Sequence, residues 1–273
     1  MHQLDQCSAA GVSFLTDAAM YERHGILVAF SARSGGVSTG AYASLNLAAH
    51  VGDEAAAVDE NRGRLLDALG IAALRPRLTT SEQVHGERIR DVTAREAGAG
   101  AFALGGARPL AATDAVLTTE AGVPLLMLYA DCVPVVVVAT APERVVGIAH
   151  CGWRGALAGL AGKTAGAVAA RAGCAAAGLL AYIGPHIGEC HYRVSLEMVS
   201  QFEERFATIA PARDRLDLGA VVSESLNEVG VLADNTVSSG ICTAERIDAF
   251  YSYRGEGTTG RHGALAVILG PGR

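Results

Sequence analysis

Short unbroken apolar runs recur along the chain, set apart by clusters of glycine, proline and polar residues. Runs of this kind mark strands buried on both faces. They predict strands over 25–32 (GILVAFSA), 125–128, 133–139, 145–149, 179–183 and 264–269. The stretch 78–92 reads as extended, and 97–106, rich in Gly and Ala, as a flexible loop. Helical spacing appears over 54–69, where Val58, Leu65, Leu66 and Leu69 share a side. Further helices are predicted over 156–172, which is Ala-rich, and near 195–207 and 218–229. Strands and helices alternate without a strict βαβ rhythm. That favours an α+β sandwich with mixed sheets over a doubly wound sheet.

Composition narrows the function classes. The 273 residues are half apolar and only 18% charged, with mean hydropathy +0.28, which suits one large buried core and argues against disorder. Net charge is −6 and no basic block occurs, so nucleic acid is not an expected partner. The apolar stretch 123–141 is interrupted by Asp131 and two prolines, which favours paired strands over a membrane span. The first residues lack the charged start and apolar stretch of a secretory signal. Six cysteines at irregular spacing read as reduced thiols, and the chain is expected to be cytoplasmic.

The polar residues that punctuate the apolar runs carry the candidate chemistry. Cys132 stands at a bend between Asp131 and Val133-Pro134. A buried thiol is one reading, but Asp131 needs water or a partner, so the bend is expected to open onto a polar space. His150 ends a strand and is followed by Gly152, Trp153, Arg154 and Gly155. Trp153 serves either as core packing or as an apolar pocket wall, and Arg154 offers a planar fork for phosphate or carboxylate. His85 lies in Gln83-Val84-His85-Gly86. Two imidazoles and a thiolate suit a catalytic zinc site with water in the fourth position. Residues 33–40, containing Arg33, Gly35, Gly36 and Ser38, offer N–H groups and a guanidinium to an oxyanion, or form a plain turn. Asn46 adds a polar group nearby, and Asp53 does the same or caps the next helix.

Read in order, these segments resemble the laccase-domain family, also called the YfiH or multicopper polyphenol oxidase family. The matching pieces run from 31–38 through 42–47, 50–53, Asn61-Arg62, 83–86, 113–115, 130–134 and 150–155. They continue at 183–185, Cys242-Thr243, 251–254 and Gly260-Arg261, so the resemblance spans nearly the whole chain. It implies a single-domain four-layer α/β/β/α sandwich over 1–273, with zinc held by His85, Cys132 and His150.

The resemblance also implies phosphorolysis of adenosine, inosine and methylthioadenosine, together with adenosine deamination. Purine nucleosides and phosphate are then the partners of a monomer or small homo-oligomer. Arg33 with its glycine loop is the expected phosphate site and Asp131 the expected proton carrier. Two departures from the family pattern stand out: Cys151 where alanine is usual, and Cys190-His191 where paired cysteines are usual. Cys151 is expected to bring a second thiol near the metal. Three other readings stay open. One is a metal-free Cys-His amide hydrolase acting on peptidoglycan precursors. Another is a copper-dependent polyphenol oxidase, since a thiolate site accepts copper in vitro. The third is a binding module without catalysis.

Overall fold

The computed structural model describes residues 2–206 and 213–270. A hairpin of β1 (Asp5–Ala9) and β2 (Val12–Thr16) leads through α1 (Ala18–His24) into β3 (Ile26–Ser31). Loops and α2 (Ala55–Ala68) follow, then two short strands, β4 (Thr79–Thr80) and β5 (Ile89–Asp91). The centre of the chain is β6 (Ala115–Thr118), β7 (Leu125–Tyr129), β8 (Val133–Ala139) and β9 (Val145–Cys151). Next come α3 (Trp153–Leu157), α4 (Leu160–Ala172), β10 (Leu180–Ile183), α5 (Leu196–Arg205) and α6 (Leu218–Glu228). The chain then runs through β11 (Thr236–Ser238), α7 (Tyr253–Glu256) and β12 (His262–Ile268).

The strands form two mixed six-stranded sheets, in the orders β1-β2-β3-β12-β7-β4 and β11-β10-β8-β9-β6-β5. Side-chain alternation explains why their sequences are apolar without interruption. In β7, Leu125, Met127 and Tyr129 fill the layer between the sheets, while Leu126 and Leu128 face the layer that α2 covers with Leu65 and Leu66. In β8, Val136 and Val138 enter the layer between the sheets, whereas Val133, Val135 and Val137 meet Leu160 and Val168 of α4 and Val221 of α6. The result is the α/β/β/α arrangement: helix, sheet, sheet, helices. Gly162 lets α4 and α6 touch, because a Cβ there would lie 2.3 Å from the Ser225 carbonyl oxygen.

Several boundaries differ from the sequence reading. The hairpin β1–β2, α1, β6 and β11 were not expected. β1 shows alternate exposure with few apolar positions, and β6 is only four residues long. The helix expected over 156–172 begins earlier and divides at Gly159, whose φ of +72° stops the first segment. Of the extended stretch 78–92, only β4 and β5 pair as strands. The loop 97–106 is pinned rather than loose: Arg62 donates to the carbonyl of Gly100, and Asp59 accepts from the N–H groups of Ala103 and Leu104. Residue 207, the end of one expected helix, lies outside the described residues.

Candidate active site

His85, Cys132 and His150 converge at the seam between the two sheets. Cys132 occupies the crossing from β7 in one sheet to β8 in the other, and His85 the crossing from β4 to β5. His150 is on β9, aligned with Ile148 toward the space between the sheets. The ligand-capable atoms of the three residues all lie within 4.8 Å of one another. The Cys132 Sγ is 3.7 Å from the His85 Nε2, and the two imidazole rings meet edge to face at 4.8 Å.

One buried carboxylate arranges two of the three. Asp114, fully buried ahead of β6, accepts N–H groups from Val84, His85 and Gly86 at 3.2, 2.9 and 2.8 Å. It also accepts from the His150 Nδ1 at 2.9 Å, leaving Nε2 directed at the cleft. Three converging N–H groups require a sharp turn, and His85 adopts a φ of +59° to complete it. Gln83 fixes the same segment from behind: its amide exchanges two hydrogen bonds with the Leu128 backbone, at 2.8 and 2.9 Å, as a neighbouring strand would. Gly152 is the remaining requirement. A Cβ at that position would sit 2.6 Å from the His85 Cδ2 and 3.1 Å from the Cys132 Sγ.

The electrostatics follow from these contacts. Burial pushes the Asp114 carboxyl up, but the hydrogen bonds from His150, Gly86 and Val84 outweigh it and hold the group below the usual carboxylate range. Burial likewise opposes a charge on Cys132, yet His150 and His85 beside it bring the thiol down to about 6. His150 is held up against burial by Cys132 and Asp114. The donor set fits zinc: one thiolate, two imidazoles, one imidazole oriented by a carboxylate, and an open side toward the cleft.

That cleft has a volume of about 520 Å³, within the range of roughly 300–1,000 Å³ usual for small-molecule sites. Besides the triad it is lined by Gln83, Asp131, Trp153 and Tyr192, and by three guanidinium groups, Arg154, Arg254 and Arg261. His50 and Tyr253 complete the polar rim. Arg154 lies over the Trp153 ring at 4.5 Å and Arg254 over the Tyr192 ring at 4.8 Å, so each cation is splayed on an aromatic plate.

The expected residues are thus distributed unevenly. Trp153, Arg154 and Asp131 reach the cleft; Arg33, Gly35, Gly36, Ser38 and Asn46 do not line it. The Arg33 guanidinium is committed to the carbonyls of Ala43 and Ile247, to Glu256 at 2.9 Å, and to the face of Tyr251. The N–H groups of Gly36, Val37 and Ser38 are taken by the Ser44 hydroxyl, the Asn61 side chain and the Ser44 carbonyl. The supposed oxyanion cradle is therefore an internally closed knot. Asp53 is part of it, accepting from Ser38 and Asn46, and Glu54 takes the N-cap position of α2.

Asp131 has both carboxylate oxygens engaged, one by the Thr243 hydroxyl at 2.7 Å and one by the Arg254 N–H at 2.6 Å. Cys151 faces away from the triad into the helix-side layer, and burial raises its thiol far above the ordinary range. The sequence reading had not singled out Asp114, Arg254 or Arg261. Each stands inside one of the segments that carry the family resemblance, and that is the available signal.

Comparison with known proteins bears on the family and the fold. The family described as multi-copper polyphenol oxidoreductase laccase matches residues 27–269. A Geobacillus stearothermophilus protein named purine nucleoside phosphorylase YlmD is 35% identical over 246 residues, covering 87% of this chain and 88% of that one. A purine nucleoside phosphorylase of Corynebacterium glutamicum is 34% identical, with 88% of this chain and 93% of that one covered. The crystal structure of Geobacillus stearothermophilus YlmD superposes with a TM-score of 0.86 at 34% identity, over 97% of this chain and 98% of that one. A Bacillus licheniformis protein titled YfiH gives 0.84 at 29% identity, over 96% and 97%. With the pattern matched from β3 to the end of β12 and the fold shared throughout, this chain belongs to the multi-copper polyphenol oxidoreductase laccase family, the YfiH type.

Proposed function

We propose that the cleft is a zinc-dependent purine nucleoside phosphorylase site acting on adenosine, inosine and methylthioadenosine, with adenosine deamination as a second activity. The observation that carries the reading is the meeting of three guanidinium groups and a His-Cys-His set in one cleft walled by Trp153 and Tyr192. Purine nucleoside phosphorylase is also the name borne by the relatives that span most of this chain.

In phosphorolysis a phosphate oxygen bonds to C1′ of the ribose while the bond from C1′ to the purine nitrogen breaks. The base leaves with the bonding pair and takes up a proton. Arg154, Arg254 and Arg261 would hold the phosphate and offset its charge as it approaches. Tyr253, exposed at the rim, offers an aromatic face to the base, while Trp153 and Tyr192 back the guanidinium groups of Arg154 and Arg254. His85, Cys132 and His150 would hold zinc, which when bound supplies a Lewis acid and lowers the pKa of water. Asp131 is assigned to positioning, fixing Thr243 and Arg254, in place of the proton carriage expected of it.

The test incubates metal-assayed protein with adenosine, with and without phosphate, and separates adenine, inosine and hypoxanthine by chromatography. Adenine released only with phosphate is the expected result, and inosine formed without phosphate would mark deamination. Release of neither base overturns the reading.

A second reading has one specific observation behind it: a Cys132 thiol lowered by two histidines resembles an activated nucleophile. A metal-free Cys-His hydrolase of amides predicts that Cys132 alkylates at the same rate with and without added zinc. The zinc reading predicts protection. Polyphenol oxidation by copper would need more copper ligands than this triad provides, and phenol turnover in copper-loaded protein would be its sign.

A further inference from the structure

On the face behind the cleft wall, Cys190, His191 and Cys242 bring two sulfurs and an imidazole nitrogen within 4.8 Å of one another. The His191 Nδ1 lies 3.1 Å from the Cys190 Sγ and 3.6 Å from the Cys242 Sγ. With metal–sulfur and metal–nitrogen bonds of about 2.3 and 2.0 Å, tetrahedral geometry asks for ligand separations of about 3.5–3.8 Å. The separation from Cys242 falls in this range and that from Cys190 lies just below it.

Four further features mark the cluster as built. The Gly188 N–H donates to the Cys242 Sγ at 3.2 Å, a contact that stabilises a thiolate and orients its sulfur. Gly188 is also the position where a side chain would intrude, since its Cβ would lie 3.3 Å from the Cys190 Sγ and 3.4 Å from the Cys242 Cβ. The turn is fixed by hydrogen bonds from the His191 and Tyr192 N–H groups to the Gly188 carbonyl, and Arg215 holds the Cys190 carbonyl. Cys190 and Cys242 line a separate hollow of about 390 Å³, together with Glu245 and Asp217, whose negative charge favours a cation.

We propose that Cys190, His191 and Cys242 form a second metal site for a thiophilic divalent cation of the zinc type. Two thiolates and one imidazole supply the protein ligands, and the hollow leaves a fourth position to solvent. The site clasps two segments that together back the cleft. One carries Ile187 and Tyr192, and Ile187 donates its N–H to the Asp131 carbonyl at 3.0 Å. The other carries Thr243, which donates to the Asp131 carboxylate at 2.7 Å.

The test is cobalt titration of the full-length, chelator-treated, fully reduced chain carrying Cys132→Ser, so that the first site lacks its thiolate. The expected result is uptake of one Co2+ with a thiolate-to-metal charge-transfer band, lost when Cys190→Ser or His191→Ala is added. Both residues are exposed, so these variants should fold, which matched thermal unfolding would verify. Slower hydrogen exchange across residues 187–192 should accompany binding. Absence of the charge-transfer band in a chain whose thiols are all countable overturns the site. So does a Cys190–Cys242 disulfide that forms in metal-saturated protein. None of these readouts depends on nucleoside turnover, so failure of the phosphorylase reading would leave this one standing.

Discussion

The His150 ring donates from Nδ1 to the buried Asp114 carboxylate at 2.9 Å, while the backbone N–H of His150 donates to the Asp114 carbonyl at 2.8 Å. One residue thus fixes both the position and the rotation of an imidazole of the triad. Its other contacts, to the N–H groups of residues 84–86, fix the backbone that carries His85. Asp114→Asn keeps the shape but turns an acceptor into a donor toward at least one of these groups. Metal affinity, measured by competition with a chelator, should fall about 10–100-fold. Unchanged affinity would show that the triad holds itself without this support.

Gly152→Ala tests crowding rather than charge. Gly152 has a φ of −70°, so alanine carries no backbone strain there. The added methyl group would nevertheless meet His85 and Cys132. Activity and metal content should fall together, and the unfolding temperature should drop by no more than chelation of the parent protein lowers it. A fully loaded, fully active variant would contradict the described geometry.

The arginines separate into two classes. Arg254→Met and Arg261→Met should raise the KM for phosphate about tenfold or more, because each removes a charged hydrogen-bonding group from the cleft. Arg33→Met should leave that KM near its original value and instead cost about 3 kcal/mol of stability, since it strands Glu256 and several carbonyls. Steady-state kinetics set beside denaturant unfolding decides between this division and its reverse.

Cys151→Ala should leave metal stoichiometry unchanged. The thiol points into the layer against α4, and the substitution costs only the packing of one sulfur, about 1 kcal/mol. A change in metal preference would mean that the thiol reaches the triad after all.

Stability should also depend on His262, whose ring is buried between Tyr129 and Phe250. Burial lowers its pKa to about 3, and the nearby Pro185 carbonyl opposes the shift only in part. Below the unfolded value near 6.5 the unfolded chain takes up a proton that the folded chain does not. This contribution is therefore intact above 6.5 and is lost progressively as pH falls toward 3. At pH 5 the loss is about 2 kcal/mol. Unfolding curves for His262→Phe should lack that increment; parallel curves for both proteins would exclude it.

What the chain made legible, and what it hid, follows from where each interaction is encoded. The strands at 133–139 and 145–149 are written as continuous apolar residues, because both faces of the second sheet are covered. The β1–β2 hairpin has no such mark, since β1 is a sheet edge with exposed positions. His85, Cys132 and His150 were readable in the sequence as ligand-capable types at bends or a strand end. Asp114 was not, because its four contacts come from residues 28–36 positions away. The misplaced phosphate loop has the same origin. A run of Gly, Ser and Arg offers donors to any acceptor, and here the acceptors are Ala43, Ser44 and Asn61.

The seam position of the triad has a mechanical consequence. Two of its ligands ride on segments that leave one sheet for the other, and the third is anchored in the second sheet alone. Any sliding of one sheet over its neighbour would pull these donors out of step. An ion gripped there would act as a dowel against shear, and heat or denaturant strong enough to slip the layers should eject it at the same moment.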